Sequence, residues 1–186
     1  YYYIILALLY NNKFSYANNY ANKKFNEWTW LLAHNSHLNW HDSRVIGPAS
    51  NQDMSIDSQL RHGVRGFMFD IDFRQCNDID FWFNVCPCQG ICLCHGKCRG
   101  GNLIKDGFSI KKFDYALKKL TNFLLKNPNE IITIVLENYV TDIKQLRTVL
   151  GRIKHLNKFI FNPYSSEWDV ENKGWPKIKD MIKLNK

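Results

Sequence analysis

The 186-residue chain contains no apolar run long enough to cross a membrane. The segment Ile4-Ile5-Leu6-Ala7-Leu8-Leu9 falls far short of the roughly 20 apolar residues a spanning helix needs. Basic residues do not alternate with aromatic ones as in an RNA-binding sheet, and no nucleic-acid motif occurs, so a nucleic-acid partner is not expected. There is no internal repeat and no low-complexity linker, which excludes a solenoid or a string of small modules. No cysteine lies outside the window from Cys76 to Cys98, and none belongs to a C-x2-C pair.

What is present is ordinary globular composition: 45% hydrophobic and 23% charged residues, enough for one domain with a sizeable core. The formal net charge of +8 favours anionic partners such as acidic membranes or phosphorylated small molecules. Residues 1–21 read as part of a signal peptide without its initiating Met. The apolar run is the h-region, and Ser15-Tyr16-Ala17 lies in the cleavage region. The rival reading of the run is a buried strand. Cys76, Cys86, Cys88, Cys92, Cys94 and Cys98 form an even set behind that segment. This points to disulfides and a secreted, extracellular or endomembrane-lumenal protein. Six cysteines allow 15 pairings, and sequence does not choose among them. A zinc site is the alternative.

Along the chain, Glu27 to Ala33 reads as a strand running into His34-Asn35-Ser36-His37. Ser55 caps a short helix ending near Gly63. Val64 to Phe73 reads as a largely apolar strand, followed by the Cys-rich insertion 76–98. Within it, Phe81 to Phe83 and Ile91 to His95 are candidate strands. From Ser109 to Asn127, Phe113, Ala116, Leu117, Leu120, Phe123 and Leu124 recur at helical spacing. Glu130 to Tyr139 reads as a buried strand and Asp142 to Ile153 as an amphipathic helix. Lys158 to Phe161 reads as a fifth strand, and Trp175-Pro176-Lys177 opens a last helix. Alternating strands and helices imply parallel β/α units. Four or five such units make either a small α/β domain or the first half of a barrel, since eight need about 250 residues.

Catalytic groups on such scaffolds stand at the C-terminal ends of strands. Those ends carry His34-Asn35, Asp70-Ile71-Asp72, Leu93-Cys94-His95 and Glu137-Asn138. Two imidazoles serve as base and acid near neutrality. The Asn, Asp and Glu oxygens suit a hard divalent cation. Glu137 shares a strand face with Val135 and Thr133, and a charged group there needs a partner.

Ala33-His34-Asn35-Ser36-His37 resembles the H-N-[ST] motif that opens the X region of phosphatidylinositol-specific phospholipase C. Gly63 to Asp70 resembles its G-x-R-x-x-x-x-D strand, Leu93-Cys94-His95-Gly96 its second histidine motif, and Ile134 to Asn138 its L-E-N strand. The segments from Asn51-Gln52 to Asp70, from Asn127-Pro128 to Val140 and from Trp175-Pro176 to Met181 resemble the extracellular plant, fungal and protist subgroup. The resemblance runs from about Trp28 to the C-terminus. It implies a TIM-like (β/α)8 barrel, with residues 22–186 covering roughly its N-terminal half and exposing two sheet edges.

It also implies phosphodiester cleavage by an internal hydroxyl, with His34 and His95 as the catalytic pair. Asn35, Asp70 and Glu137 would hold a divalent cation, Ca²⁺ ahead of Mg²⁺. The substrate class is a phospholipid or inositol phosphodiester met at a membrane surface by a peripheral enzyme. In the cation-independent branch the position of Asp72 is an Arg, so Asp72 argues for a metal. Met68 replaces a Glu ligand of the animal enzymes. A catalytically silent module binding inositol phosphates or acidic membranes is the second reading. A zinc-stabilised interaction protein is the third, and it leaves the strand-end motifs unexplained.

Overall fold

The computed structural model of the chain describes residues 2–9, 21–43, 50–75, 88–96, 98 and 111–183. Five strands form one mixed sheet: β1 (Tyr2–Leu9), β2 (Leu32–Ala33), β3 (Gly66–Arg74), β4 (Gly90–Cys94) and β5 (Ile131–Asn138). Six α-helices accompany it among the described residues: α1 (Trp40–Ser43), α2 (Ile56–Arg61), α3 (Phe113–Lys126), α4 (Ile143–Arg152), α5 (Val170–Lys173) and α6 (Ile178–Lys183). The sheet order is β1-β5-β3-β2, with β4 also paired to β3.

Alternation along the two central strands sets up the layers. Phe67, Phe69 and Ile71 of β3 and Ile132, Ile134 and Leu136 of β5 point to one face. They form the main core with Phe113, Ala116, Leu117, Leu120 and Leu124 of α3 and Ile56 and Leu60 of α2. The heptad-like spacing of α3 is what lets a single helical stripe cover two strands. The opposite face carries Met68, Asp70 and Asp72 of β3 and Thr133, Val135 and Glu137 of β5. It is the face that the position of Glu137 beside Val135 and Thr133 predicts. Ser55 caps α2 by accepting from Ser58 N, and Asp142 caps α4 by accepting from Lys144 N.

A second cluster closes the other end of β5. Phe25, Ile131, Phe161, Ile178, Met181 and Ile182 are buried together, flanked by Trp30, Trp168, Val170 and Trp175. Backbone bonds from Phe25 N to Pro176 O and from Ile178 N to Lys23 O tie the two ends of the chain together there.

The expected (β/α)8 barrel is not what the chain forms: the described sheet is open and mixed, with no closure. Two pairings explain this. β1 runs antiparallel along the whole of β5, from Tyr2 opposite Asn138 to Leu9 opposite Ile131. It thereby occupies the edge that a following parallel strand would use. β4 is antiparallel to β3, from Asp70 opposite Cys94 to Arg74 opposite Gly90, and so does not continue a parallel series. The parallel pairs are β2 with β3 and β3 with β5.

Two local expectations also change. Of Glu27 to Ala33, the last two residues alone pair in the sheet, and Phe25–Glu27 is a 3-10 turn. Lys158 to Phe161 follows a 3-10 turn at Leu156–Lys158 and adds no strand, because Phe159 fills the main core while Phe161 fills the second. Phe81 to Phe83, Cys76 and Cys86 lie outside the described residues, as does most of the expected cleavage region.

Candidate functional site

The site is built where two strands meet end to end. β5 takes one edge of β3, so β2 and β4 share the other. β2 covers Gly66 and Phe67, and β4 covers Asp70 to Arg74. Their last residues, Ala33 and Cys94, stand opposite Phe67 and Asp70, about 10 Å apart along β3 at the usual strand rise. His34 follows the first and His95 the second. On the far edge of β3, Asp70 is in register with Glu137. The strand-end residues singled out from the sequence therefore converge, although His95 arrives on an antiparallel strand rather than at the end of a parallel one.

Gly66 makes the close packing of β2 feasible. A Cβ there would lie 2.9 Å from the Cα of Leu32, so a side chain would push β2 off β3. After β2 the chain turns through Asn35, whose φ of 45° is a left-handed conformation that Asn tolerates better than most residues. Ser36 N then donates to Met68 O, and Ser36 Oγ to Ala33 O.

Further along, Asp42 is buried and fully employed. It accepts from Asn39 Nδ2 at 2.9 Å, Ile56 N at 2.7 Å and Tyr115 Oη at 2.6 Å, with Lys119 Nζ at 3.7 Å. Burial, then the bond to Asp42, pushes the Tyr115 hydroxyl up to about 12. Gln59 Nε2 donates to Ser36 O and Met54 O. These bonds fix the loop bearing His34 against α2 and α3.

His34 is exposed at the mouth. Asn51 Nδ2 lies 3.2 Å from its Nδ1, and Gln52 Nε2 donates to its carbonyl at 2.7 Å. The orientation of the Asn51 amide sets the tautomer: its NH₂ against Nδ1 keeps the ring proton on Nε2, and its carbonyl there frees Nε2 as a base. Sequence reasoning assigned no role to Asn51 or Gln52. Their signal was their place in the subgroup resemblance.

Asp70 is buried, and its carboxyl is raised above its ordinary range. Burial is the main cause. The Gly96 N–H, 2.7 Å from Oδ2, opposes it; Glu137 adds to it; His34 and His95 oppose it. Strand register sets Glu137 itself, and the residues just before His34 and His95, around that carboxyl. Asp70 Oδ1 and Asn35 Oδ1 are both buried without a hydrogen-bond partner. Glu137 accepts from Tyr139 Oη. Two orphaned oxygens, one from a carboxylate and one from an amide, together with the second carboxylate of Glu137, make an all-oxygen donor set that fits a hard cation. Among the described residues no three His, Cys, Asp or Glu side chains cluster as a metal site.

His37 is buried, 5.9 Å from the Phe69 ring and against the Cys94 backbone. Burial pushes it down to about 3, against the smaller pull of the Cys94 backbone and Asp42. It is a neutral imidazole beneath the site, unsuited to replace His34 as the exposed proton carrier. His41 is exposed on α1.

Disulfides join Cys88 to Cys92 and Cys94 to Cys98, and the four half-cystines form a small buried cluster of their own. Such bridges are compatible with an extracellular or lumenal protein.

A family model described as PI-PLC X matches residues 20–186. A PI-PLC X domain-containing protein of Arabidopsis thaliana is 32% identical over 169 residues, covering 87% of this chain. The chain spans 34% of that relative's length. No solved structure matches.

Proposed function

The chain belongs to the PI-PLC X domain family, and on that premise we propose that it is a phosphoric diester hydrolase or lyase. It cleaves a phosphatidylinositol-type phospholipid in the phospholipase C manner. The observation that carries this reading is the strand register: Asp70 lies opposite Glu137 on one side and Cys94, the residue before His95, on the other, while β2 ends on the same edge at Ala33, the residue before His34.

His34 takes the proton from the substrate hydroxyl that attacks phosphorus, or donates to the crowded phosphoryl oxygens, according to its tautomer. As the new P–O bond forms, the bond to the glycerol oxygen breaks, and His95 supplies the proton that oxygen needs. The products are a cyclic phosphate and a diacylglycerol. Asn35, Asp70 and Glu137 would hold a divalent cation, Ca²⁺ ahead of Mg²⁺, which offsets charge on a phosphoryl oxygen. The net charge of +8 supports peripheral attraction to an acidic membrane. The two disulfides support an extracellular or lumenal location.

The test is release of cyclic phosphate from phosphatidylinositol vesicles. His34→Ala and His95→Ala are each expected to lower turnover by about 100-fold or more without lowering the melting temperature. Wild-type turnover in either variant would remove that residue from the mechanism. Met68, where a Glu ligand would complete the cation set, favours one second reading: a silent module that binds inositol phosphates or acidic lipid. Salt-sensitive vesicle binding with no cleavage is the result that reading predicts.

A further inference from the structure

His95 is exposed and directly follows Cys94, the last residue of β4. An acid that must meet a leaving oxygen needs a fixed position. The structure supplies three ties, all from one patch. Asp70 and Asp72, two apart on β3, present their carboxylates on the same face. Asp70 Oδ2 accepts from Gly96 N at 2.7 Å, and Asp72 Oδ2 accepts from Cys98 N at 3.2 Å. The Cys94–Cys98 bridge closes the same turn, and Gly96 allows it with a φ of 72°. His95 is thus flanked on one side by a strand residue in register with Asp70 and on the other by an amide held on Asp70.

The bridge spans a separation of four residues. A loop that short removes less chain entropy from the unfolded state than a long one, so its effect on global stability is smaller than its effect on local geometry. The half-cystines also pack apart from the main core. Asp72 is buried and touches the turn at Cys98, while Asp70 keeps its other oxygen unpaired. Asp70 faces both the turn and the site, while Asp72 accepts from Cys98 N in the turn through Oδ2 and from Phe73 N on its own strand through Oδ1.

We propose that Asp72, acting through the Cys98 amide and the Cys94–Cys98 bridge, is the positioning residue that holds His95 where it can protonate the leaving group. The proposal rests on the diester-cleavage reading for its kinetic consequence, but not for its structural one. A displaced acid harms a poor leaving group and spares a good one. Damage to the fold harms both alike.

The experiment compares two inositol phosphodiesters, one with an alkyl alcohol leaving group and one with p-nitrophenol. They are run with the wild type, Asp72→Ala, Asp72→Asn and the double variant Cys94→Ala/Cys98→Ala. For Asp72→Ala and the double variant, kcat on the alkyl substrate is expected to fall about 100-fold, with KM within about twofold. The nitrophenyl substrate should change less than about threefold. Asp72→Asn keeps an oxygen that accepts the Cys98 N–H and should recover most of the loss. Equal losses on both substrates, or none on either, would overturn the proposal.

Amide hydrogen exchange at Gly96 and Cys98 is measured on the same proteins. Faster exchange at Cys98 in Asp72→Ala is expected, and unchanged exchange would overturn the proposal. If the wild type cleaves neither substrate, the diester reading fails and the exchange result alone decides the positioning claim.

Discussion

Asp70 and His37 are the two side chains whose titration the fold disturbs most directly at the site, in opposite directions. The raised carboxyl of Asp70 means that the folded chain holds its proton more firmly than the unfolded chain does. Its contribution to stability is therefore fullest below the ordinary carboxylate range and is lost as pH rises through the folded value. Asp70→Asn should raise the melting temperature at pH 7 in chelator, with the gain shrinking in acid, and should abolish cleavage. An Asn variant less stable than wild type at neutral pH would contradict this electrostatic account.

For His37, held at about 3 in the fold against an ordinary 6.5, the sign reverses. The unfolded chain binds the extra proton, so this stability is present above about 6.5 and drains away as pH falls towards 3. His37→Phe should lose less melting temperature than wild type between pH 7.5 and 4.5. Equal losses would show that His37 is not the acid-sensitive group. The strand-end placement of His34, Asn35, His95 and Glu137 was legible in the sequence because each closes an apolar run, whereas Asp70 lies within β3. Asn51, Gln52 and Asp72 received no positioning role from the sequence, because what they do is make hydrogen bonds to residues far along the chain.

Among the elements, β2 is the shortest strand and the one on which His34 depends. It pairs with β3 through two residues, and Gly66 permits that approach. Gly66→Ala would set a methyl against the Leu32 backbone. Overpacking of this kind costs roughly 1–3 kcal/mol, and the displacement carries His34 with it. Denaturant melts should show that loss, with turnover falling more steeply than the folded fraction accounts for. Unchanged stability and turnover would mean that β2 has room to move.

The helices α2, α3, α4 and α6 and strands β3 and β5 could be placed from periodicity and caps alone, because each buries one stripe or face. The direction of β4 could not, since its sequence, Gly-Ile-Cys-Leu-Cys, says nothing about which way it crosses β3. Nor could the pairing of β2, which depends on the bare backbone of Gly66 far along the chain.

For the molecule as a whole, the parallel β/α reading was right for the core and wrong for the edges. Antiparallel β1 covers β5, and antiparallel β4 covers the outer half of β3, so an open mixed sheet replaces the expected barrel. The apolar run from Ile4 to Leu9 has the composition of a leader and also pairs along β5, and composition alone does not separate those uses. The polar face of the sheet is what survives the change of topology: it carries Asp70 in register with Glu137, and β2 and β4 end beside it, just before His34 and His95.

The most direct measurement is turnover of phosphatidylinositol vesicles by the protein with Ca²⁺, with Mg²⁺ and with chelator. The account predicts cyclic phosphate release that needs a divalent cation, is greater with Ca²⁺, and disappears in Asp70→Asn. Folded protein that binds the vesicles and releases no cyclic phosphate under any of these conditions would contradict it.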